Sequence, residues 1–405
     1  MLKLFNSLSK SIESFRPVRD DVTTIFTCGP SIYQRAHIGN FRTFLFEDIL
    51  LRYLEYSGYT VKRGMNFTDL EDKAIREAEK RNTTLQRLTD QNIGDFMEEM
   101  KLLRMKVPDY LPRASESIEE AVAIIERLLE RDMAYRYREN IYFNPLKFPD
   151  FGRIYGLDLA KWPAKKRRFH QDTYPGIQWN LGDFILWHGC KGGDRVCWDS
   201  PIGRGRPSWN VQDPSMISKH YNETLSIYCG GVDNLYRHHD YTRAILESVR
   251  LYPTARYWLH CHHLVMNGKK MSKSRGNIYY TDTLLDQGYD ASEIRFFLIY
   301  RHYRKKLNFS DENMRRSAEK LREFKNKVRR IEQKADPGRP QDGEKAQRIK
   351  QVFGEKMDDD LDGKGAFDRV LGLVSEFEVD DLGPGEAGAV METLRGIDRV
   401  LKVIF

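Results

Sequence analysis

Thr24-Ile25-Phe26-Thr27-Cys28-Gly29-Pro30, followed a short loop later by His37-Ile38-Gly39-Asn40, decides the fold. An apolar run of strand length (Val22 to Cys28), a glycine-proline turn and an amphipathic helix predicted from about Phe41 to Tyr56 make a strand, a turn and a helix N-terminus. Unpaired backbone N–H groups and the positive end of the helix dipole make such a terminus a receiver of phosphate. A second strand is expected at Thr60 to Met65 and a polar helical stretch from Asp72 to Arg104. Alternating strands and helices favour a parallel sheet covered on both faces, so the fold class is α/β and Rossmann-like.

Lys270-Met271-Ser272-Lys273-Ser274 stands more than two hundred residues downstream. It places two ammonium groups three residues apart on a small-residue loop ending in Gly276-Asn277. There they can neutralise charge moving onto departing pyrophosphate, an effect of about 3 kcal/mol per well-placed donor. Either segment alone is weak: a lone HIGN is usually a helix cap, and a lysine loop can be solvated surface. In this order, with a strand before the first, they resemble the two nucleotide-activating signatures of a class I aminoacyl-tRNA synthetase. The resemblance implies amino-acid activation by ATP with magnesium assisting.

With 405 residues, two to four domains are expected. No apolar run approaches the roughly 20 residues that span a bilayer. Met1-Leu2-Lys3-Leu4-Phe5 lacks the apolar core of a signal peptide, so a cytoplasmic protein with no membrane and no DNA partner is expected. The cysteines Cys28, Cys190, Cys197, Cys229 and Cys261 are odd in number and scattered, so reduced thiols are expected rather than a disulfide framework. A net charge of +7, from 66 Lys+Arg against 59 Asp+Glu, permits tRNA as a partner, although ATP alone accounts for a basic site.

The expected organisation is a Rossmann-like catalytic domain in two halves, 1–115 and 200–265, interrupted by an insertion at 116–199. A lysine-loop and stem-contact region (266–320) and a helical bundle (321–405) follow. Within these, helix is expected from Ile118 to Arg131, sheet around Leu225 to Cys229 and Tyr257 to Met266, and a linker at Ala335-Asp336-Pro337-Gly338-Arg339-Pro340. Two or three amphipathic helices end the chain, broken at Asp380-Asp381-Leu382-Gly383-Pro384-Gly385.

Further segments sharpen the resemblance to the cysteinyl-tRNA synthetase family. Thr27-Cys28-Gly29-Pro30-Ser31-Ile32-Tyr33, Asn66-Phe67-Thr68-Asp69-Leu70-Glu71-Asp72-Lys73, Trp198-Asp199-Ser200-Pro201, Gly230-Gly231-Val232-Asp233, His238-His239 and Leu307-Asn308-Phe309-Ser310 are each similar to family segments, in family order. The resemblance covers about residues 1 to 320 and continues weakly through Met357-Asp358-Asp359-Asp360.

In that family, zinc held by two Cys, one His and one Glu grips the substrate thiolate, which suits soft sulfur chemistry. Carried over, Cys28 and His238 are present, but Asp213 stands at the second cysteine and Thr242 at the glutamate; Tyr228 and Cys229 alter a His-Gly pair. Cys28, Asp213 and His238 can still hold zinc. Equally, they can form a metal-free pocket in which Asp213 recognises a cationic or hydroxylated side chain. The family also adds a small anticodon-reading domain after its bundle, and this chain ends where that domain would start. In this it is similar to the mycothiol-pathway cysteine ligase, which joins an activated amino acid to a small amine.

The resemblance implies catalytic His37, Asn40, Lys270 and Lys273, an ATP site adding Gly29, Gly39 and Ser272, and an amino-acid site of Cys28, Thr68, Trp209, Asp213, Asp233 and His238. The expected function is aminoacyl-adenylate formation and transfer to a small amine or other non-standard acceptor. An authentic cysteine-tRNA ligase and a catalytically silent tRNA-binding paralogue are the alternatives. His260-Cys261-His262-His263 offers at most two ligands to one site, because strand residues alternate faces. Cys190 and Cys197 lack the second pair of a zinc ribbon, and Lys165-Lys166-Arg167-Arg168 reads as a solvated face or a contact to tRNA phosphates.

Overall fold

The structure, a computed structural model, describes residues 1–158, 183–271, 276–336 and 343–405, with Arg237 and Lys270 described by their backbone alone. Lys165 to Arg168, Ser272 to Ser274 and the Pro337 to Pro340 part of the linker lie outside the described residues. A hairpin of β1 (Lys3–Asn6) and β2 (Ser11–Ser14) precedes β3 (Thr23–Thr27), α1 (Ile38–Tyr56) and β4 (Val61–Met65). Three helices follow, α2 (Asp72–Lys80), α3 (Leu85–Leu102) and α4 (Ile118–Glu130). Strands β5 (Ala134–Tyr137), β6 (Asn140–Phe143), β7 (Phe184–Gly189) and β8 (Gly205–Pro207) form an antiparallel sheet in that order.

The chain returns through α5 (Trp209–His220), β9 (Leu225–Gly231), α6 (Asp240–Val249) and β10 (Ala255–Cys261). A small sheet of β11 (Leu264–Met266), β12 (Lys269–Lys270) and β13 (Leu307–Phe309) flanks α7 (Thr281–Asp286) and α8 (Ala291–Ile299). Helices α9 (Asp311–Lys334), α10 (Glu344–Met357), α11 (Gly363–Glu376) and α12 (Pro384–Leu401) complete the bundle. The molecule is thus a Rossmann-like α/β fold with an inserted antiparallel sheet and a C-terminal helical bundle.

The central sheet has the order β10-β9-β3-β4, with every pair parallel. All five residues of β3 are buried, as expected for a strand covered on both faces. From β3 the chain winds to β4 on one side and later returns to β9 on the other. The crevice beyond the C-terminal ends of β3 and β9 is therefore the topological switch point, where such sheets bind ligands.

Several elements differ from the sequence expectation for identifiable reasons. Helix α1 is buried around most of its circumference, thirteen of its nineteen residues, rather than along one stripe. It lies between the sheet and the C-terminal helices, and Phe46, Ile49, Leu50 and Tyr53 share one cluster with Phe353, Phe367 and Leu394. Buried Arg295 locks this junction by donating to Asp48 Oδ2 (2.6 Å), Leu103 O (2.8 Å) and Leu401 O (2.7 Å). The Asp72 to Arg104 stretch splits into α2 and α3 at Asn82, whose φ of 51° breaks the helix, and the Thr84 hydroxyl caps α3.

Two segments near the edges of the expected insertion bridge it to its neighbours. The apolar face of α4 joins a cluster that contains Val211, Ile217, Ile245 and Leu246 together with Ile141 and Leu186 of the antiparallel sheet. Gly205–Pro207 pairs with β7 and so belongs to the antiparallel sheet.

The expectation of reduced thiols fails at one pair: Cys190 and Cys197 are disulfide-bonded across the Lys191 to Asp194 turn, with Cα atoms 6.3 Å apart. Counting over the whole chain missed a local hairpin that brings two cysteines within bonding range. Cys28, Cys229 and Cys261 are free and buried.

Candidate active site at the switch point

Residues from both sides of the switch point line a cleft of about 320 Å³: Cys28, Gly29 and Pro30 beyond β3, Gly231, Asp233 and Asn234 beyond β9, and His37 and Asn40 at the start of α1. Gly29 is required sterically, since a Cβ there would lie 1.8 Å from Asn66 O. Its N–H donates to Asn66 Oδ1 at 2.9 Å, tying the turn to the end of β4.

His37 is the N-cap of α1 and forms a reciprocal capping box with Asn40. The Asn40 N–H donates to His37 Nδ1 (3.3 Å) and the His37 N–H donates to Asn40 Oδ1 (3.0 Å). Because Nδ1 accepts, the proton of a neutral ring sits on Nε2, the tautomer that donates to phosphate. Gly39 permits this ring position, since a Cβ there would come within 2.9 Å of His37 Cε1.

The two distant signatures meet. The Ile38 N–H donates to Tyr279 O (3.1 Å), just past the lysine loop. Met271, 5% exposed, shares an apolar cluster with Ile38 and Phe41. Lys270 pairs by its backbone with Val265, while Ser272 and Lys273 lie outside the described residues. Arg35 braces the same junction, donating to Glu99 (2.7 Å), ion-pairing with Asp282 and lying 5.1 Å from the Tyr280 ring centroid. Nothing in the sequence marked Arg35, because its partners come from α3 and α7.

The other end of the cleft is closed. Cys28 and Trp209 line it, but Thr68, Asp213 and His238, expected beside the substrate, are buried behind them at 3%, 0% and 2% exposure. The Trp209 ring stacks on His238 with centroids 4.5 Å apart and planes 10° from parallel. Asp213 Oδ2 accepts from Tyr228 Oη (2.7 Å), His238 Nε2 (2.8 Å) and Cys28 Sγ (3.3 Å), and Oδ1 accepts from Asn66 Nδ2 (3.0 Å). Asn66 also donates to Thr68 Oγ1 (3.2 Å). Asp233 is exposed and lines the cleft.

Electrostatics follow from this packing. Burial raises the Asp213 carboxyl, but the His238 ring and the donors of Tyr228 and Cys28 outweigh it, leaving the group below the usual carboxylate range. Burial and the Asp213 charge push both the Cys28 thiol and the Tyr228 phenol well up, so both stay protonated and donate. His239 lies 2.9 Å from Cys28 Sγ and 2.7 Å from His260 Nε2, and His260 Nδ1 reaches Ser7 Oγ at 2.8 Å. Burial lowers His239 far below its ordinary value and His260 to about 3, so both rings are neutral. Cys28, His238 and His239 thus bring ligand-type atoms within 4.8 Å of one another; His239 was not among the expected ligands, although its neighbour was. As a disulfide, Cys190 and Cys197 offer no thiolate beside Asp194.

A helix N-terminus at the switch point of a parallel sheet, tied to the strand that leads into the lysine loop, is the arrangement of a nucleotide-binding α/β fold. Residues 14–319 match the family described as tRNA synthetases class I (C) catalytic domain, and the chain belongs to that family. It is 34% identical over 424 residues to a cysteine–tRNA ligase of Chlamydia muridarum, covering 100% of this chain and 88% of that protein. It is 37% identical over 333 residues to the cysteine–tRNA ligase of Leptospira interrogans, covering 82% and 70%. Among solved structures it resembles Mycobacterium tuberculosis methionyl-tRNA synthetase in complex with methionyl-adenylate, with a TM-score of 0.66, 14% identity and coverage of 94% and 92%. It also resembles Agrobacterium radiobacter LeuRS in a complex with tRNA and LeuAMS, with a TM-score of 0.63, 12% identity and coverage of 96% and 85%. The enzyme is a class I aminoacyl-tRNA synthetase-type ligase that forms an aminoacyl-adenylate. Among the described residues no helix is long and apolar enough to cross a membrane.

Proposed function

We propose that this enzyme activates an amino acid with ATP and transfers the aminoacyl group to tRNA. The observation that carries the reading is the meeting of the His37 helix terminus and the lysine-loop strand at the crevice between β3 and β9. ATP lies with its phosphates against the α1 N-terminus, His37 and Asn40. Asp233 receives the substrate ammonium, and the substrate carboxylate attacks the α-phosphorus in line with departing pyrophosphate. His37 Nε2–H, Lys270, Lys273 and a magnesium ion carried with ATP stabilise the charge that spreads over the phosphates, and Ser272 adds a hydroxyl donor. No protein nucleophile is needed.

Transfer to tRNA is supported by relatives that match the full chain and bear the name cysteine–tRNA ligase. The small-amine acceptor expected from the sequence gains no support from them. The test is pyrophosphate exchange across twenty amino acids, followed by recovery of the labelled amino acid in acid-precipitated RNA. Exchange with RNA charging supports the proposal. Exchange without charging of any tRNA in a total pool would return the acceptor to small amines, and no exchange at all would favour a silent paralogue.

A further inference from the structure

The side-chain end of the cleft departs from a zinc site in its spacing more than in its residue types. Around tetrahedral zinc, with bonds of about 2.0 to 2.3 Å, neighbouring ligand atoms lie roughly 3.3 to 3.7 Å apart. Here His238 Nε2 and Asp213 Oδ2 at 2.8 Å, and Cys28 Sγ and His239 Nε2 at 2.9 Å, are closer than that, whereas Cys28 Sγ and Asp213 Oδ2 at 3.3 Å are not. The His238–Asp213 distance is a hydrogen-bond separation. Asp213 already accepts from four donors, with Tyr228, His238 and Cys28 on Oδ2 and Asn66 on Oδ1, which leaves Oδ2 no lone pair for a metal.

Tyr228 adds to this arrangement. Its phenolic oxygen lies 2.7 Å from Asp213 Oδ2 and 3.8 Å from Cys28 Sγ, beside the 3.3 Å carboxylate–thiol pair, and its proton occupies a lone pair of Asp213 that a metal would need. The residue four beyond His238 is Thr242, a buried hydroxyl with no hydrogen-bond partner among the described residues and no charge to give a metal. The donor set therefore does not fit the zinc that the family resemblance implies.

We infer that this pocket binds its amino acid without a metal and admits only a small neutral side chain, one with at most a single heavy atom beyond Cβ. The end wall is Cys28, 7% exposed, with the Trp209 indole beside it. Asp213, Tyr228 and His239 at 0% lie immediately behind. A longer side chain would have to displace Cys28 or Trp209, which line the cleft, and moving Cys28 would leave the buried Asp213 carboxylate short of a donor. Glycine, alanine, serine and cysteine fit this limit, and selection among them is by size and hydrogen bonding rather than by thiolate at zinc. The inference deepens the adenylate-forming reading and rests on it.

The test uses the full chain and three separate readouts: metal content by mass spectrometry, equilibrium binding of the twenty amino acids by calorimetry, and pyrophosphate exchange. The expected result is zinc well below one equivalent, with binding confined to the four small amino acids and changed less than about twofold by a zinc chelator. One equivalent of zinc whose removal abolishes binding would overturn the inference, as would comparable binding of valine, leucine or methionine. Small amino acids that bind without zinc but support no exchange would uphold the pocket inference while striking the adenylate reading.

Discussion

The phosphate end and the side-chain end of the cleft are built in opposite ways at the same edge of the central sheet. The phosphate end is open and local: His37, Gly39 and Asn40 lie within four residues, and their geometry is a helix cap. The side-chain end is closed and distributed. Cys28, Asn66, Asp213, Tyr228, His238, His239 and His260 come from six separate stretches of chain and satisfy one another in the interior. Chemistry common to all substrates can rest on backbone and a short motif, whereas on the proposed reading discrimination rests on a buried polar network in which each member fixes the next.

Asp213→Ala is the most damaging way to break the contrast. It leaves His238, Tyr228, Asn66 and Cys28 as buried donors around a missing carboxylate, and should cost about 3–5 kcal/mol of folding stability in denaturant titration. A loss below about 1 kcal/mol would mean the network is not what holds this end closed. His37→Ala should act at the other end and in the other currency, slowing pyrophosphate exchange by about 3 kcal/mol of transition-state stabilisation, a factor of roughly 100. Its folding stability should change only by about 1 kcal/mol, the value of an N-cap.

Tyr228→Phe sharpens the comparison by removing a single donor from Asp213 while keeping the ring. The expected cost is about 2 kcal/mol of stability, with exchange on the wild-type amino acid nearly unchanged. The remaining effect is a pH slope from His260. Its folded value of about 3 lies below the ordinary 6.5, so the folded state resists a proton that the unfolded chain accepts. This contribution is full above pH 6.5 and is lost as pH falls toward about 3, at about 1.4 kcal/mol per pH unit. Unfolding curves for wild type and His260→Gln across pH 4 to 7 should diverge in slope on acidification; parallel curves would place a charged ring at that position.

Much of the fold was legible because its signals are short-range. The run into Gly29-Pro30, the cap at His37 and the strand Leu225 to Cys229 each carry period, turn or capping information within a dozen residues. The all-round burial of α1 was not legible, since what covers its second face is the bundle formed by the last sixty residues. The packing of α4 against both α5–α6 and the antiparallel sheet, and the closure of the Cys190–Cys197 hairpin, were likewise hidden, because each depends on what packs against the segment.

Sequence by itself determined the class of reaction, because a phosphate-receiving helix start and a lysine loop are local motifs whose meaning survives wherever the chain carries them. It also named Asp213 and Thr242 as departures from the metal-binding pattern of the resembling family, and Tyr228 as a departure in a neighbouring stretch. Only the tertiary structure decided what those departures do. Whether a carboxylate, a phenol and two imidazoles surround an ion or hydrogen-bond to each other turns on a few tenths of an ångström between residues far apart in the chain, and that separation is set by how β3, α5, β9 and the turn before α6 pack.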